Sequence, residues 1–224
     1  MKRFLLLIIF FIFTFFILPA KADILPMGSK SVKYYGIGVL NMPLNYTVYQ
    51  YPYKEAKILK EVSFENIQKS AIRNRVDLRK VSYIAYVPEQ NLALLPVELE
   101  PGNDWYCVYI NQDTGEKGWV YNEDKSAFMT YRRFFYKYGK KYGIRFFNDL
   151  TDEEKVLYAK EDLNSQVLER IKYPRFATFT AIRGNWMLVV VNDASKKPRI
   201  GWLNWRNDDG SLKVFPHLKE QKRW

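Results

Sequence analysis

Residues 103–121 read NDWYCVYINQDTGEKGWVY, and residues 185–205 read NWMLVVVNDASKKPRIGWLNW. Each is a hairpin by pattern. In the first, Trp105 to Ile110 is an aromatic and β-branched run, Asn111 to Glu116 holds the turn formers Asp113 and Gly115, and Lys117-Gly118-Trp119-Val120 resumes the strand. In the second, Trp186 to Val191 is the strand, Asn192 to Pro198 the loop, and Ile200-Gly201-Trp202-Leu203 the return. Two tryptophans at matching places in two hairpins imply that one fold is used twice.

Working outward, a second block repeats in the same order. Val48 to Val62 aligns without gaps on Leu157 to Ile171, with Tyr49 on Tyr158, Ile58-Leu59 on Val167-Leu168 and Val62 on Ile171. Two matched blocks in one order are the signature of an internal duplication. Each half resembles a bacterial SH3-like (SH3b) domain: a Leu/Val-Tyr strand opening, a polar loop, a short apolar strand, a Trp-initiated strand and a Gly-Trp-Val/Leu strand. The resemblance covers residues 44–122 and 155–216 and implies a mainly all-β fold, two tandem small SH3-like β-barrels joined by a short helical, aromatic connector. It also implies aromatic ligand grooves. Tyr49 and Tyr51 match the aromatic opening motif, and Trp105 and Trp186 match the groove tryptophan. Tyr158, the counterpart of Tyr49, and Trp205, at the end of the second hairpin, complete the candidate ligand-binding set. Trp202 is expected to be their partly buried partner. After Gly118-Trp119-Val120 the Pro-Ser-Asn-Tyr element of eukaryotic SH3 domains is missing, so polyproline ligands are not implied.

The expected organisation is a signal peptide over 1–22, a lead-in over 23–43, one module over 44–122, an aromatic and basic connector over 123–150, and a second module with a basic tail over 151–224. The first module carries 28 extra residues, because Val62 to Trp105 spans 43 positions where Ile171 to Trp186 spans 15. That insertion, near 63–87, ends in the strand-like Val81-Ser82-Tyr83-Ile84-Ala85-Tyr86-Val87, and its deletion is expected to leave the second module folded. Pro96 within Leu92 to Leu99 points to an edge or a bulge. Asp124 to Tyr138 reads as a helix capped by Asp124 or Ser126, with Phe128, Tyr131, Phe135 and Tyr138 on one face and Gly139 as its stop. Thr151-Asp152-Glu153-Glu154 has capping-box spacing, which competes with a strand there. The gapless match to a copy containing Pro52 favours the strand.

Lys2 and Arg3 precede an apolar run from Phe4 to Leu18, and Ala20-Lys21-Ala22 offers small residues for cleavage before Asp23. The fifteen residues of this run, apolar apart from Thr14, are short against the ~20 that span a bilayer. Export to the periplasm or the extracellular space is therefore expected. Without Lys2, Arg3 and Lys21 the formal charge falls from +11 to +8, a modest basic surface. The basic and aromatic residues of the connector resemble a single-strand nucleic-acid surface, but an exported protein has little occasion to meet one. An aromatic core with solvated Lys and Arg tips, or weak contact with anionic envelope surfaces, fits them better.

Catalysis finds no constellation. His217 is the only histidine and Cys107, inside an apolar strand, the only cysteine, so no Cys/His pair and no His-based zinc site can be assembled. No Gly-x-Ser-x-Gly elbow and no phosphate loop occur. Glu98, Glu100, Asp104, Asp193, Asp208 and Asp209 fall in strands or turns. No cofactor and no metal is expected. Two function classes follow: a non-catalytic exported module that binds an extended peptide, from peptidoglycan or an envelope protein, or the targeting subunit or remnant of a cell-wall hydrolase.

Overall fold

A computed structural model describes residues 34–43, 45–63, 84–87, 92–112, 114–147, 149–171, 176–192 and 197–218. The expected signal peptide and most of the insertion lie outside them. The fold is mainly all-β, as the alternating and β-branched stretches predict.

Two antiparallel sheets account for the strands. The first holds β1 (Gly38–Asn41), β2 (Tyr46–Tyr49), β3 (Ile58–Val62), β4 (Ala85–Val87), β5 (Leu92–Leu99), β6 (Trp105–Tyr109), β7 (Lys117–Tyr121) and β8 (Phe128–Thr130). The second holds β9 (Ile144–Phe146), β10 (Val156–Tyr158), β11 (Val167–Arg170), β12 (Phe176–Arg183), β13 (Trp186–Asn192), β14 (Pro198–Asn204) and β15 (Val214–Pro216). Spatial order is β3-β2-β7-β6-β5-β1-β8 in one and β11-β10-β14-β13-β12-β9-β15 in the other. Counterparts therefore occupy the same places throughout.

Register repeats as well as order. Val48 faces Lys60, and a bulge then sets Tyr49 against Ile58; Leu157 faces Glu169, and the same bulge sets Tyr158 against Val167. Tyr49 pairs with Trp119 and Tyr158 with Trp202. A one-residue slip would turn every side chain to the other face, so this agreement fixes equivalent outward positions in the two sheets.

β4 has no counterpart. It pairs with the first half of β5, Ala85 to Leu94 and Val87 to Leu92, while β6 pairs with the second half from Val97 onward. In the second sheet the longer β13 covers all of β12 alone. The insertion thus supplies the pairing that the short β6 omits. Pro96 lies at this handover, in a central strand and not at an edge. By alternation its missing N–H points to the β4/β6 side, where the partner changes, and the bulge expected of it follows between Val97 and Leu99.

The connector is organised differently from its expected form. Asp124 caps only a 3₁₀ turn, Lys125–Ala127, accepting from Ser126 N at 2.8 Å. Phe128–Thr130 then becomes β8, because pairing with β1 satisfies backbone that a helix would otherwise use. The helix, α1, starts later and runs over residues 131–142, with Thr130 Oγ1 accepting from Arg133 N. A π turn at Phe135–Gly139 carries it past the expected stop. It ends at Gly143, whose φ of 85° suits glycine. The capping-box residues form a turn without a helix: Glu154 accepts from Thr151 N at 2.8 Å, and β10 begins two residues on.

Two cores result. One fills the first sheet's inner face with Leu40, Val48, Leu95, Val97, Tyr106, Val108 and Val120. The larger joins both sheets through Tyr131, Phe134, Phe135 and Tyr138 of α1, and it includes Ile84 and Ala85 of the insertion beside Val189, Leu203 and Phe215. Arg206 of the second sheet donates to the Gly36 carbonyl at 2.9 Å, and the buried Tyr131 hydroxyl donates to the Tyr35 carbonyl at 2.7 Å. Removing 63–87 would therefore open a core that the second sheet shares, contrary to the independence expected from sequence.

Candidate functional site

Equivalent register places three aromatics on each sheet's outer face, away from its core. In the first sheet Tyr49 meets Trp105 edge-on, with ring centroids 5.5 Å apart at 82°; in the second Tyr158 meets Trp186 at 5.5 Å and 89°. Trp119 and Trp202 stand on the neighbouring strand in both. The two faces part company in what covers them.

Across from Trp105 stands Tyr121, at 5.3 Å, with Lys54 above the Tyr121 ring at 4.4 Å. Further along, Tyr34 stacks on Tyr109 at 5.3 Å, and Glu98 accepts from both the Tyr109 hydroxyl and Lys117. All five residues of β6 are buried in consequence. Across from Trp186 stands Asn204, which offers no ring. β13 accordingly alternates, with Met187, Val189 and Val191 buried and Trp186, Leu188 and Val190 half-buried. Ile200 on β14 is 59% exposed on the same face.

At one end of this open face lies a depression of about 370 Å³, lined by Ala159, Lys160, Glu161, Asp162, Arg183 and Trp202. The guanidinium of Arg183 sits 5.4 Å from the centre of the Trp202 ring and pairs with Glu161 at 2.7 Å. The loop that carries the carboxylates is held by its own bonds: Ala159 N donates to Gln166 O at 2.9 Å, Asn164 N to Asp162 Oδ1 at 2.9 Å, and Lys160 N to Ser165 Oγ at 3.2 Å. Lys160 itself forms no ion pair with a described residue. A rigid rim with both charge signs beside an indole wall suits a ligand that has amino, carboxylate and apolar groups together.

Of the residues expected from sequence, Tyr158 and Trp186 do lie together on this face. Tyr49 and Tyr51 lie on the first sheet's outer side and the loop next to it, where the half-exposed Tyr51 stacks on Tyr53 at 6.1 Å. Trp105, 7% exposed beneath Tyr121 and Tyr49, presents little surface to a ligand. Trp205 is a core residue: 3% exposed, it packs on Phe135 at 5.0 Å, and its Nε1 donates to the Gly184 carbonyl at 3.1 Å. Trp202 belongs to the depression; Leu203, next to it, is the residue that points inward. Arg183, Leu188, Val190 and Ile200 went unnoticed in the sequence. The all-apolar strand Trp186 to Val191 was the available signal, since every second residue of it must face away from the core.

Titratable groups elsewhere take their properties from burial and from neighbouring side chains. Burial pushes the Cys107 thiol up and so keeps it protonated and unreactive. Burial and the neighbouring Arg145 bring His217 down to about 4. Burial raises Glu98, yet bonds from Lys117 and Tyr109 outweigh it and hold the carboxyl below its usual range. Asp104 pairs with Lys125, Asp208 accepts from Asn185, and Asp209 accepts from Ser211. Among the described residues no group of three or more His, Cys, Asp and Glu is placed to hold a metal ion. No protein-family model matches the chain, and no curated protein is similar to it.

Proposed function

We propose that the protein is an exported, non-catalytic binding module that holds an extended peptide across the outer face of β13 and β14, with a charged end of the peptide in the depression at Trp202. The observation that carries this reading is the half-open face itself: Trp186 and Trp202 are half-buried beside the Arg183–Glu161 pair, whereas Trp105, the counterpart of Trp186 on the first sheet, is closed. Half-buried Trp186, Leu188, Val190 and Trp202 with the exposed Ile200 supply apolar area, and the rim of Lys160, Glu161, Asp162 and Arg183 supplies orientation. A zwitterionic peptide meets both requirements, so a peptidoglycan stem peptide or a segment of an envelope protein is the ligand class. The apolar run Phe4 to Leu18 followed by Ala20-Lys21-Ala22 supports export, and the resemblance to bacterial SH3-like domains supports peptide recognition.

The test is retention on purified cell-wall sacculi and on a panel of soluble stem peptides, with crosslinking to envelope proteins in parallel. Trp186→Ala and Trp202→Ala are expected to keep a cooperative thermal transition within a few degrees of wild type and to lose retention. Full retention by both folded variants would overturn the assignment of this face. The intact mass of protein from the envelope fraction is expected to start at Asp23.

A further inference from the structure

Helix α1 turns Arg132, Arg133, Lys137, Lys140 and Lys141 outward, with Tyr136 half-buried among them, away from the buried Tyr131, Phe134, Phe135 and Tyr138. All five cations are exposed, and residues 131–142 contain no carboxylate. Elsewhere Lys117 is paired with Glu98, Lys125 with Asp104, Lys155 with Asp152 and Arg199 with Glu169. Arg132, Arg133, Lys137 and Lys140 make no ion pair with a described residue. The opposite face cannot rotate out to relieve this crowding, because Tyr131, Phe134, Phe135 and Tyr138 are locked in the core. Like charges kept close on a rigid element raise the local positive potential and favour an anionic partner.

We propose that this face docks the protein on a membrane surface rich in anionic phospholipid headgroups. From Arg132 to Lys141 the cations span about 13 Å along the axis, enough to meet more than one headgroup at once. Tyr136 and Tyr142 are half-buried among the cations and belong to the side-chain type that sits at a membrane–water boundary. A nucleic acid fits less well, since single strands bind by stacking bases on free rings. Here the rings are already engaged: Lys140 lies over Tyr136 at 4.9 Å, Lys141 over Tyr142 at 4.9 Å, and Tyr136 also meets Phe179 edge-on at 5.6 Å. Docking through α1 uses a surface separate from the β13–β14 face, so it stands or falls independently of peptide binding.

The experiment is co-sedimentation of the full chain with vesicles of mixed phosphatidylglycerol and phosphatidylcholine, and with vesicles of phosphatidylcholine alone. Two quadruple variants are compared: Arg132→Gln/Arg133→Gln/Lys137→Gln/Lys140→Gln, and a control of equal charge, Lys117→Gln/Lys125→Gln/Lys155→Gln/Arg199→Gln. Because both keep the apolar N-terminal run, its own affinity for lipid cancels in the comparison. At about fivefold per cation, the helix variant is expected to lose on the order of several hundredfold in affinity for the anionic vesicles. The control should lose far less, and wild-type binding should weaken as salt is added. Equal losses in the two variants would reduce the effect to net charge and overturn the proposal. So would binding to neutral vesicles as tight as to anionic ones, or tighter binding to a single-stranded oligonucleotide than to the vesicles. Exposed Lys or Arg to Gln changes barely alter helix propensity, and circular dichroism of both variants checks that folding is retained.

Discussion

The hairpin β6–β7 and the hairpin β13–β14 have the same register and equivalent neighbours, yet β6 is buried on both faces and β13 on one. The difference comes down to a few side chains. Tyr121 roofs Trp105 where Asn204 leaves Trp186 half-buried, and Tyr34 stacks on Tyr109 where Val190 is half-buried. A duplicated frame thus keeps its pairing and core while cover on the outer face is added or removed by single residues. In this protein the covered copy also carries the insertion and shares its far side with α1. The open copy holds the depression.

Truncating the indoles should break that comparison most severely. Trp105→Ala and Trp205→Ala each remove a buried ring, at a cost of roughly 3–5 kcal/mol, and Trp205→Ala also removes the bond to the Gly184 carbonyl. Trp186→Ala removes a half-covered ring and should cost about 1–2 kcal/mol. Chemical denaturation checks the order. Since one core joins both sheets, Trp205→Ala should shift a single transition for the whole protein and not create a second one. Two separated transitions would show that the shared core does not couple the sheets.

A smaller loss is expected where backbones crowd. Gly118 and Gly201 are counterparts: a methyl at Gly118 would press on Val48 Cγ1, and one at Gly201 would lie 2.9 Å from Leu157 Cβ and 3.2 Å from the Tyr158 carbonyl. Either alanine should destabilise by about 1–3 kcal/mol through overpacking. Similar midpoint shifts for the two would confirm that the β2–β7 and β10–β14 crossings are equivalent.

How much of this was legible depended on range. The gapless match of Val48–Val62 to Leu157–Ile171 carried the strand register and even the bulge, because alternation and turn chemistry are local. The start of α1 was misplaced because Phe128-Met129-Thr130 suits a strand or a helix, and only pairing with β1, some 90 residues earlier, decides between them. Burial of Trp105 and Trp205 was not legible for the same reason. Each is closed by a residue from another element, Tyr121 in one case and Phe135 in the other. The candidate face was half-read: Tyr158 and Trp186 carry a repeated motif, while Arg183 and Ile200 have none.

Acid should separate the two sheets' edges. His217, just beyond β15, has its titration lowered from the usual 6.5 to about 4 by burial and by Arg145, so the folded state binds its proton less readily than the unfolded state. The stability this residue permits is complete above pH ~6.5 and is lost as pH falls towards about 4. β8, the corresponding edge of the first sheet, contains only Phe128, Met129 and Thr130 and has no such group. His217→Asn should flatten the decline in midpoint over that window. An unchanged slope would place the acid sensitivity elsewhere.

The finest change exchanges the roofs. Asn204→Tyr puts a phenol opposite Trp186 in the geometry that Tyr121 has opposite Trp105, and Tyr121→Asn removes the original. Each alters one cross-strand pair on the outer face, so stability should move by about 1 kcal/mol. Accessibility should move more: acrylamide quenching of Trp186 is expected to fall in Asn204→Tyr, and that of Trp105 to rise in Tyr121→Asn. If the open face is what holds a peptide, Asn204→Tyr should also lose retention on sacculi without losing its fold. Tyr121→Asn alone should gain none, since the first sheet still has Lys117 where Ile200 stands and Tyr34 over Tyr109. Retention unchanged by Asn204→Tyr, with quenching reduced as expected, would mean that Trp186 is covered at no cost to binding and that the ligand depends on the Trp202 end alone.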